Sequence, residues 1–176
     1  PSTSVVAVCD LVPGLIDQFR ENWGTAFPEV RGYTDYREML ASEQIDLLSV
    51  VTSDHRHAQI VVDAAEAGVK GIFCEKPVAT TLADVDRMIA AVEGRGIPML
   101  INHTRRWYPE FLEARRLVRS GEIGKVRRIV ASIGGPRAML FRNGTHLVDT
   151  ICLFAESEPE WVIGELDDEH REYGPR

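Results

Sequence analysis

Short apolar runs alternate with longer amphipathic segments along the first part of the chain. The apolar runs predict strands that are buried on both faces of a parallel sheet, at residues 5–9, 46–51, 71–74 and 98–101. The amphipathic segments predict helices at residues 13–22, 36–42, 57–67 and 81–93. Because strands that alternate with helices of this length form right-handed βαβ units, the pattern predicts an α/β fold with a parallel sheet.

The pattern changes near residue 105. Helices are predicted at residues 108–119 and 145–154, and between and after them residues 125–132 and 160–165 alternate polar and apolar side chains. Such alternation is typical of half-exposed strands in an antiparallel or mixed sheet. The sequence therefore predicts two domains: residues 1–104, and residues 105–176 as the start of an α+β, mostly antiparallel second domain.

Composition and charge exclude several classes of protein. The hydrophobic share of 44% and charged share of 27% are those of an ordinary globular protein. A net charge of −7 argues against nucleic acid as a partner. No apolar run is long enough to predict a membrane span, and no segment resembles a signal peptide for secretion. The odd number of cysteines, Cys9, Cys74 and Cys152, predicts buried, reduced thiols in a cytoplasmic protein.

Asp10 ends the first apolar run, where a dinucleotide-binding fold places the acid that binds the adenosine ribose. Many loops also begin with Asp, so Asp10 alone does not identify a dinucleotide-binding site. The glycine-rich phosphate loop would lie about 20 residues earlier, before the chain begins at Pro1. We therefore expect a Rossmann-type sheet that lacks its first, central strand, and a longer gene product.

Two further strand ends carry candidate chemistry. The turn from Thr52 to His57 and the segment Glu75-Lys76-Pro77 both lie where ligands of open α/β sheets bind. Lys76 is predicted to extend into that crevice, although a solvated loop lysine is the alternative. His55 and His57 have no third ligand at a suitable spacing, so no metal site is predicted.

Together these segments resemble the glucose–fructose oxidoreductase/inositol dehydrogenase/MocA (Gfo/Idh/MocA) family. Residues 102–109 resemble its Gly-Phe-x-Arg-Arg-Phe-x-Pro segment, and residues 144–149 resemble its Gly-x-His-x-x-Asp helix start. The resemblance implies a two-domain, oligomeric enzyme that transfers a hydride between NAD or NADP and a hydroxyl or carbonyl of a sugar, cyclitol or sugar acid. Asp10 favours NAD, because its charge would repel a 2′-phosphate.

The resemblance also implies roles for individual residues. Lys76 would hold the reacting hydroxyl and His146 would be the general acid/base, a task suited to an imidazole near neutral pH. Arg142, Asp149, Lys76 and His146 would bind substrate. The cofactor would be lined by Asp10, Thr52, Ser53, His57, Glu75, Lys76 and Arg105.

One departure leaves alternatives open. The family often has Asp four residues before the histidine, and here that position is Arg142. The arginine could favour an anionic substrate such as a uronate. It could instead mark a non-catalytic relative that binds a nucleotide or sugar. A third alternative is that this chain is inactive on its own.

Overall fold

Two parallel sheets form the centre of the molecule. The computed structural model describes residues 3–134 and 140–165, with only the backbone at residues 141 and 142. The strands are β1 (Ala7–Cys9), β2 (Arg31–Tyr33), β3 (Leu47–Val50), β4 (Gly71–Glu75) and β5 (Met99–Asn102). β1 pairs with β2, and the other sheet has the order β3-β4-β5, all parallel. The predicted Rossmann-type α/β fold is confirmed, and no described strand lies between the two sheets, at the gap that the sequence predicted.

Helices follow the strands in the expected alternation. The α-helices are α1 (Pro13–Trp23), α2 (Tyr36–Ser42), α3 (Asp54–Ala67), α4 (Leu82–Glu93), α5 (Pro109–Ser120) and α6 (Thr145–Ala155). A 3-10 helix, Thr104–Trp107, leads into α5, and a π-helical turn, Leu140–Gly144, leads into α6. In the described ranges, none of these helices combines the length and apolar character that a membrane span requires.

Helix α3 supplies more buried side chains than any other described element. Val61, Ala64 and Ala65 have no exposed surface, and the small alanines allow α4 to pack closely with its fully buried Met88. Burial of a Val or Met side chain contributes about 1.5–3 kcal/mol. The helix ends at Gly68, whose φ of 85° is a left-handed conformation that glycine adopts without a steric penalty.

Helix α2 joins the smaller sheet to the rest of the molecule, because it contacts β1, β2 and α3. Its carboxyl end is tied to β2 by Glu43, whose side chain is 3% exposed and lies 2.7 Å from Arg31 Nε. The same carboxylate accepts a hydrogen bond from the Tyr33 hydroxyl. This hydrogen bond and partial burial raise the pKa of Tyr33.

Helices α5 and α6 pack against each other after the last strand. The rings of Phe111 and Phe154 lie 6.3 Å apart, centroid to centroid. Glu156 caps the end of α6 and forms ion pairs with Arg115, at 3.2 Å, and with Arg119. Helix α6 also contacts the 3-10 helix, so it is held beside the end of β5.

Three expectations need correction. Residues 125–132 and 160–165 are not strands: they are irregular, and Val130, Val162 and Ile163 are more than 80% exposed. A strand persists only where a neighbour accepts its backbone hydrogen bonds, and no described segment pairs with either stretch. Conversely, the short strand β2 was not predicted. Finally, α3 begins at Asp54 rather than near His57, because Ser53 already has the extended backbone of an N-cap.

The three cysteines are free, as predicted, but only Cys74 is buried. Its burial and the neighbouring charge of Glu75 raise the pKa of the Cys74 thiol to about 12. Cys9 and Cys152 are half-buried, which corrects the expectation that all three lie in the interior.

Candidate active site

The polar residues at the strand ends share one edge of the three-stranded sheet. Thr52 follows β3, Glu75 ends β4 and Asn102 ends β5. Because the strands are parallel, their carboxyl ends lie side by side, where open α/β sheets bind ligands. Asp10 occupies the corresponding position after β1, where its backbone N–H donates to the carbonyl of Tyr33 at 3.1 Å.

Glu75 ties the ends of β4 and β5 together. One carboxylate oxygen accepts a 2.5 Å hydrogen bond from the side-chain amide of Asn102. The other oxygen accepts a 3.2 Å bond from the backbone N–H of Lys76. Both oxygens are thus engaged, and the pair fixes the point from which the Lys76 side chain leaves the sheet.

His57 ties the loops after β3 and β4. It is 1% exposed, and its ring nitrogens lie 2.9 Å from the carbonyl oxygen of Pro77 and 3.0 Å from that of Thr52. The Lys76–Pro77 peptide bond is cis. Since both ring nitrogens face backbone carbonyls, His57 supports the loop of Lys76 from within the protein.

His146 lies in the first turn of α6, after the buried Gly144. Burial lowers the pKa of His146, and electrostatic interactions with Lys76, Arg105 and His103 lower it further, against an opposing contribution from Glu75. The positive end of the helix dipole acts in the same direction. The imidazole is therefore neutral over a wider pH range than that of an ordinary histidine, which suits a general base.

Beside His146 lies a second cluster of charged groups. Arg106 Nε donates to both carboxylate oxygens of Asp149, at 2.9 and 3.0 Å, and Arg106 Nη2 donates to Oδ1 at 2.7 Å. The Asp149 side chain is 9% exposed, and its Oδ2 lies 3.8 Å from Nδ1 of His103. The His103 ring meets the His146 ring edge to face, with centroids 6.0 Å apart.

The fold and these strand-end residues agree with a sequence family. The family described as "Oxidoreductase family, NAD-binding Rossmann fold" matches residues 1–103. The chain belongs to the Gfo/Idh/MocA family.

Relatives of known description include dehydrogenases. D-apiose dehydrogenase of Paraburkholderia graminis is 39% identical over 120 residues, which make up 68% of this chain and 31% of that protein. Inositol 2-dehydrogenase of Salmonella typhimurium is 34% identical over 122 residues, 69% of this chain and 35% of that protein. This Gfo/Idh/MocA chain therefore spans about a third of the length of the curated relatives it matches.

A solved structure covers more of the chain. Aldose-aldose oxidoreductase from Caulobacter crescentus, in complex with glycerol, superimposes with a TM-score of 0.75 at 26% identity. The superposition covers 90% of this chain and 52% of that one. The Gfo/Idh/MocA fold thus extends beyond the family match into the region of α5 and α6.

The remaining predicted site residues of this Gfo/Idh/MocA chain have varied surroundings. Thr52 and Ser53 are exposed, and the Ser53 side chain makes no capping hydrogen bond to α3. Arg105 lies in the 3-10 helix, with its guanidinium 6.0 Å from the centre of the Phe111 ring. The side chain of Arg142 lies outside the described residues. In the described ranges, no three or more His, Cys, Asp or Glu side chains are arranged to hold a metal ion.

Sequence reasoning assigned no role to His103, Arg106 or Asn102. All three lie in or next to the segment from residue 102 to residue 109 that carries the family resemblance. The signal that was available for Asn102 and His103 is their position at the end of a buried strand, the same signal that identified Asp10. Arg106 lies in the 3-10 helix that follows and had no such signal.

Proposed function

We propose that the protein containing this chain is a dehydrogenase that transfers a hydride between NAD and a hydroxyl or carbonyl carbon of a sugar, cyclitol or sugar acid. The supporting observation is that Lys76, at the end of β4, is close enough to His146 for its charge to lower the pKa of that imidazole. An ammonium beside a neutral imidazole suits the removal of a hydroxyl proton. The names of the relatives support the substrate class.

In this proposal Lys76 and His146 divide the work at the reacting hydroxyl. Lys76 binds the oxygen and stabilises the negative charge that develops on it. His146 accepts the proton during oxidation and returns it during reduction. When bound, the nicotinamide supplies the hydride acceptor or donor. The first residues to meet substrate would be Lys76 and His146, with Asp149 and Arg142 as further predicted contacts.

The cofactor is proposed to bind along the carboxyl edge of the sheets. Asp10 supplies a carboxylate for ribose hydroxyls, and Thr52 and Ser53 supply exposed hydroxyl groups at the start of α3. Glu75, His57 and Arg105 are predicted to line the same site, with His57 acting through the two loops it joins. NAD is preferred over NADP, because the Asp10 carboxylate would repel a 2′-phosphate.

We also propose residues 1–104 as the dinucleotide-binding domain and residues 105–176 as the start of a substrate domain. A small-molecule substrate and a homo-oligomer stay predictions that follow from the resemblance, and a cytoplasmic location stays a prediction from the cysteines.

The roles of Lys76 and His146 can be tested by replacing each in the complete protein. We expect Lys76→Met and His146→Gln each to lower kcat by roughly 10²- to 10⁴-fold, the usual size of an acid–base contribution, with little change in NADH affinity. Turnover is followed by NADH absorbance across a panel of sugars, cyclitols and uronates. Faster turnover of uronates than of neutral sugars would support the anionic-substrate role of Arg142.

Matched controls are available on the surface. Lys70→Met removes a lysine whose side chain is 77% exposed, and His55→Gln removes a histidine whose side chain is 53% exposed. Both should leave turnover unchanged. Full activity in Lys76→Met or His146→Gln would contradict the assignment, and NADH binding without turnover of any substrate would identify a non-catalytic relative.

A further inference from the structure

The ring of His103 lies against the proposed base, His146. The two imidazoles meet at an interplanar angle of 89°, with centroids 6.0 Å apart. Among the described residues, the Nδ1 atoms of both rings are buried and have no hydrogen-bond partner. Buried imidazole nitrogens are normally satisfied, and an exception points to a functional state in which a proton or partner arrives.

The carboxylate of Asp149 lies near His103. Its Oδ2 is 3.8 Å from the His103 Nδ1, which is beyond hydrogen-bond length. Asp149 is itself fixed by the two-pronged contact from Arg106. The backbone anchors the residue as well, since the His103 N–H donates to the carbonyl of Ile101 at 2.9 Å. The His103 ring thus contacts His146 and lies near the Asp149 carboxylate that Arg106 holds in place.

We propose that His103 is a positioning residue for His146: its edge-to-face contact orients the plane of the imidazole that exchanges the substrate proton. This inference rests on the proposed function of His146. Acid–base histidines are commonly supported by a carboxylate. In this proposal the imidazole of His103, on the loop after β5, supports His146 instead. The sequence has arginine at position 142, where the family often has that acid.

His103 also acts on the charge of its neighbour. The pKa of His146 is lowered by burial and then by charged groups on three different segments. The groups that face His146 are Lys76 after β4, Arg105 in the 3-10 helix and His103 before it, with Glu75 opposing them. Removal of the His103 imidazole should therefore raise the pH at which His146 titrates.

The test is an NMR titration of the His146 imidazole in the whole chain, with histidine labelled at Cε1. We expect His103→Gln to raise the His146 midpoint, by up to about half a pH unit, because the lowering contribution of His103 is removed. His55→Gln, which removes an exposed imidazole outside the cluster, should leave the midpoint unchanged. Resonances are assigned with His146→Gln, and far-UV circular dichroism confirms that each variant is folded.

A second readout separates positioning from charge. In the complete enzyme, His103→Phe keeps an aromatic edge against His146 and should retain more of kcat than His103→Gln, with an unchanged KM for NADH. Equal kcat losses in the two folded variants would overturn the positioning role, and an unshifted His146 midpoint in folded His103→Gln would overturn the electrostatic effect of His103. If no substrate is turned over by the unmutated enzyme, the proposed function fails, and the NMR titration still decides the role of His103.

Discussion

One carboxylate oxygen of Asp10 stabilises the loop that begins at this residue. Its Oδ1 accepts a 2.8 Å hydrogen bond from the backbone N–H of Val12, two residues ahead, which is the geometry of an Asx turn. The turn fixes the direction of the carboxylate at the end of β1. A single residue thus shapes the loop and supplies the negative charge on which the proposed preference for NAD depends.

Replacing Asp10 by serine separates these two tasks. Serine still offers an oxygen to the Val12 N–H, and the charge is gone. In the complete protein we expect the ratio of NADPH to NADH affinity to rise roughly tenfold, about 1.4 kcal/mol, because repulsion of the 2′-phosphate is removed. Fluorescence titration with each reduced cofactor measures the ratio.

Asp17→Asn is the matched control, because it removes an acid on α1 whose side chain is 69% exposed. It should leave the ratio at the value of the unmutated protein. A preference for NADPH in the unmutated protein would contradict the assignment of Asp10.

Residues at strand ends could be found from the sequence, and residues that meet only through folding could not. The positions of Asp10, Thr52 and Lys76 follow from buried runs that stop at a polar residue. The contact between Arg106 and Asp149 spans 43 positions and depends on how α6 packs beside the 3-10 helix. No local sequence pattern predicts a contact between residues so far apart, so the cluster beside His146 could not be predicted from the sequence.

At the scale of elements, α2 and α3 are joined by one carboxylate. Asp63 on α3 accepts hydrogen bonds from the Tyr36 hydroxyl, at 2.6 Å, and from Arg37 Nε, at 2.9 Å. Burial raises the pKa of Asp63, but the hydrogen bonds from Tyr36 and Gln59 and the charge of Arg37 outweigh it and lower the pKa overall. Burial and the bond to Asp63 raise the pKa of Tyr36 to about 12.

The raised pKa of Tyr36 predicts a loss of stability at high pH. The protonated phenol is favoured in the folded state, so its contribution is complete below the ordinary pKa of 10.0 and is lost as the pH rises towards about 12. Tyr36→Phe lacks this group. We therefore expect the difference in unfolding free energy between the two proteins to shrink between about pH 9 and about pH 11.

Urea unfolding at both pH values measures the difference. Tyr108→Phe is the control, because the Tyr108 side chain is among the exposed large hydrophobic groups. A difference that is constant with pH would show that the hydrogen bond between Tyr36 and Asp63 does not link the two helices in solution.

Elements with a strong internal pattern were predictable, and elements that depend on a partner were not. The buried runs of β3, β4 and β5 and the apolar face of α4 are readable along the chain. Strand β2 has the sequence Arg-Gly-Tyr, which shows no apolar run, and it exists because β1 pairs with it. Residues 125–132 have the alternating pattern of a strand but no described neighbour, so the pattern alone misled.

At the scale of the whole molecule, apolar side chains lie exposed along the open edge of the larger sheet. Leu47 on β3 is 67% exposed and Val51, just after it, is 68% exposed. β3 is an edge strand in the described topology, so its unpaired backbone groups accompany this apolar surface. Such an edge favours association with another strand or another copy of the chain.

We expect the isolated chain to bind a hydrophobic dye and to associate as its concentration rises. Leu47→Lys should weaken the association, because a charged side chain on an edge strand opposes pairing. Leu82→Lys is the control, since Leu82 is 82% exposed at the start of α4. Light scattering coupled to size exclusion measures the mass, and a monomer at all concentrations without dye binding would refute the expectation.

The imidazole of His57 makes one wall of the crevice rigid. Because a single buried ring contacts both the Thr52 and the Pro77 carbonyls, a shift of the loop after β3 or of the loop after β4 disturbs the other through this ring. Helix α6 and the 3-10 helix, which contact each other, come from a later part of the chain and carry His146 and Arg105. We therefore expect differences in substrate among related chains to arise in the segment that carries His146, while the loop of Lys76 keeps its shape.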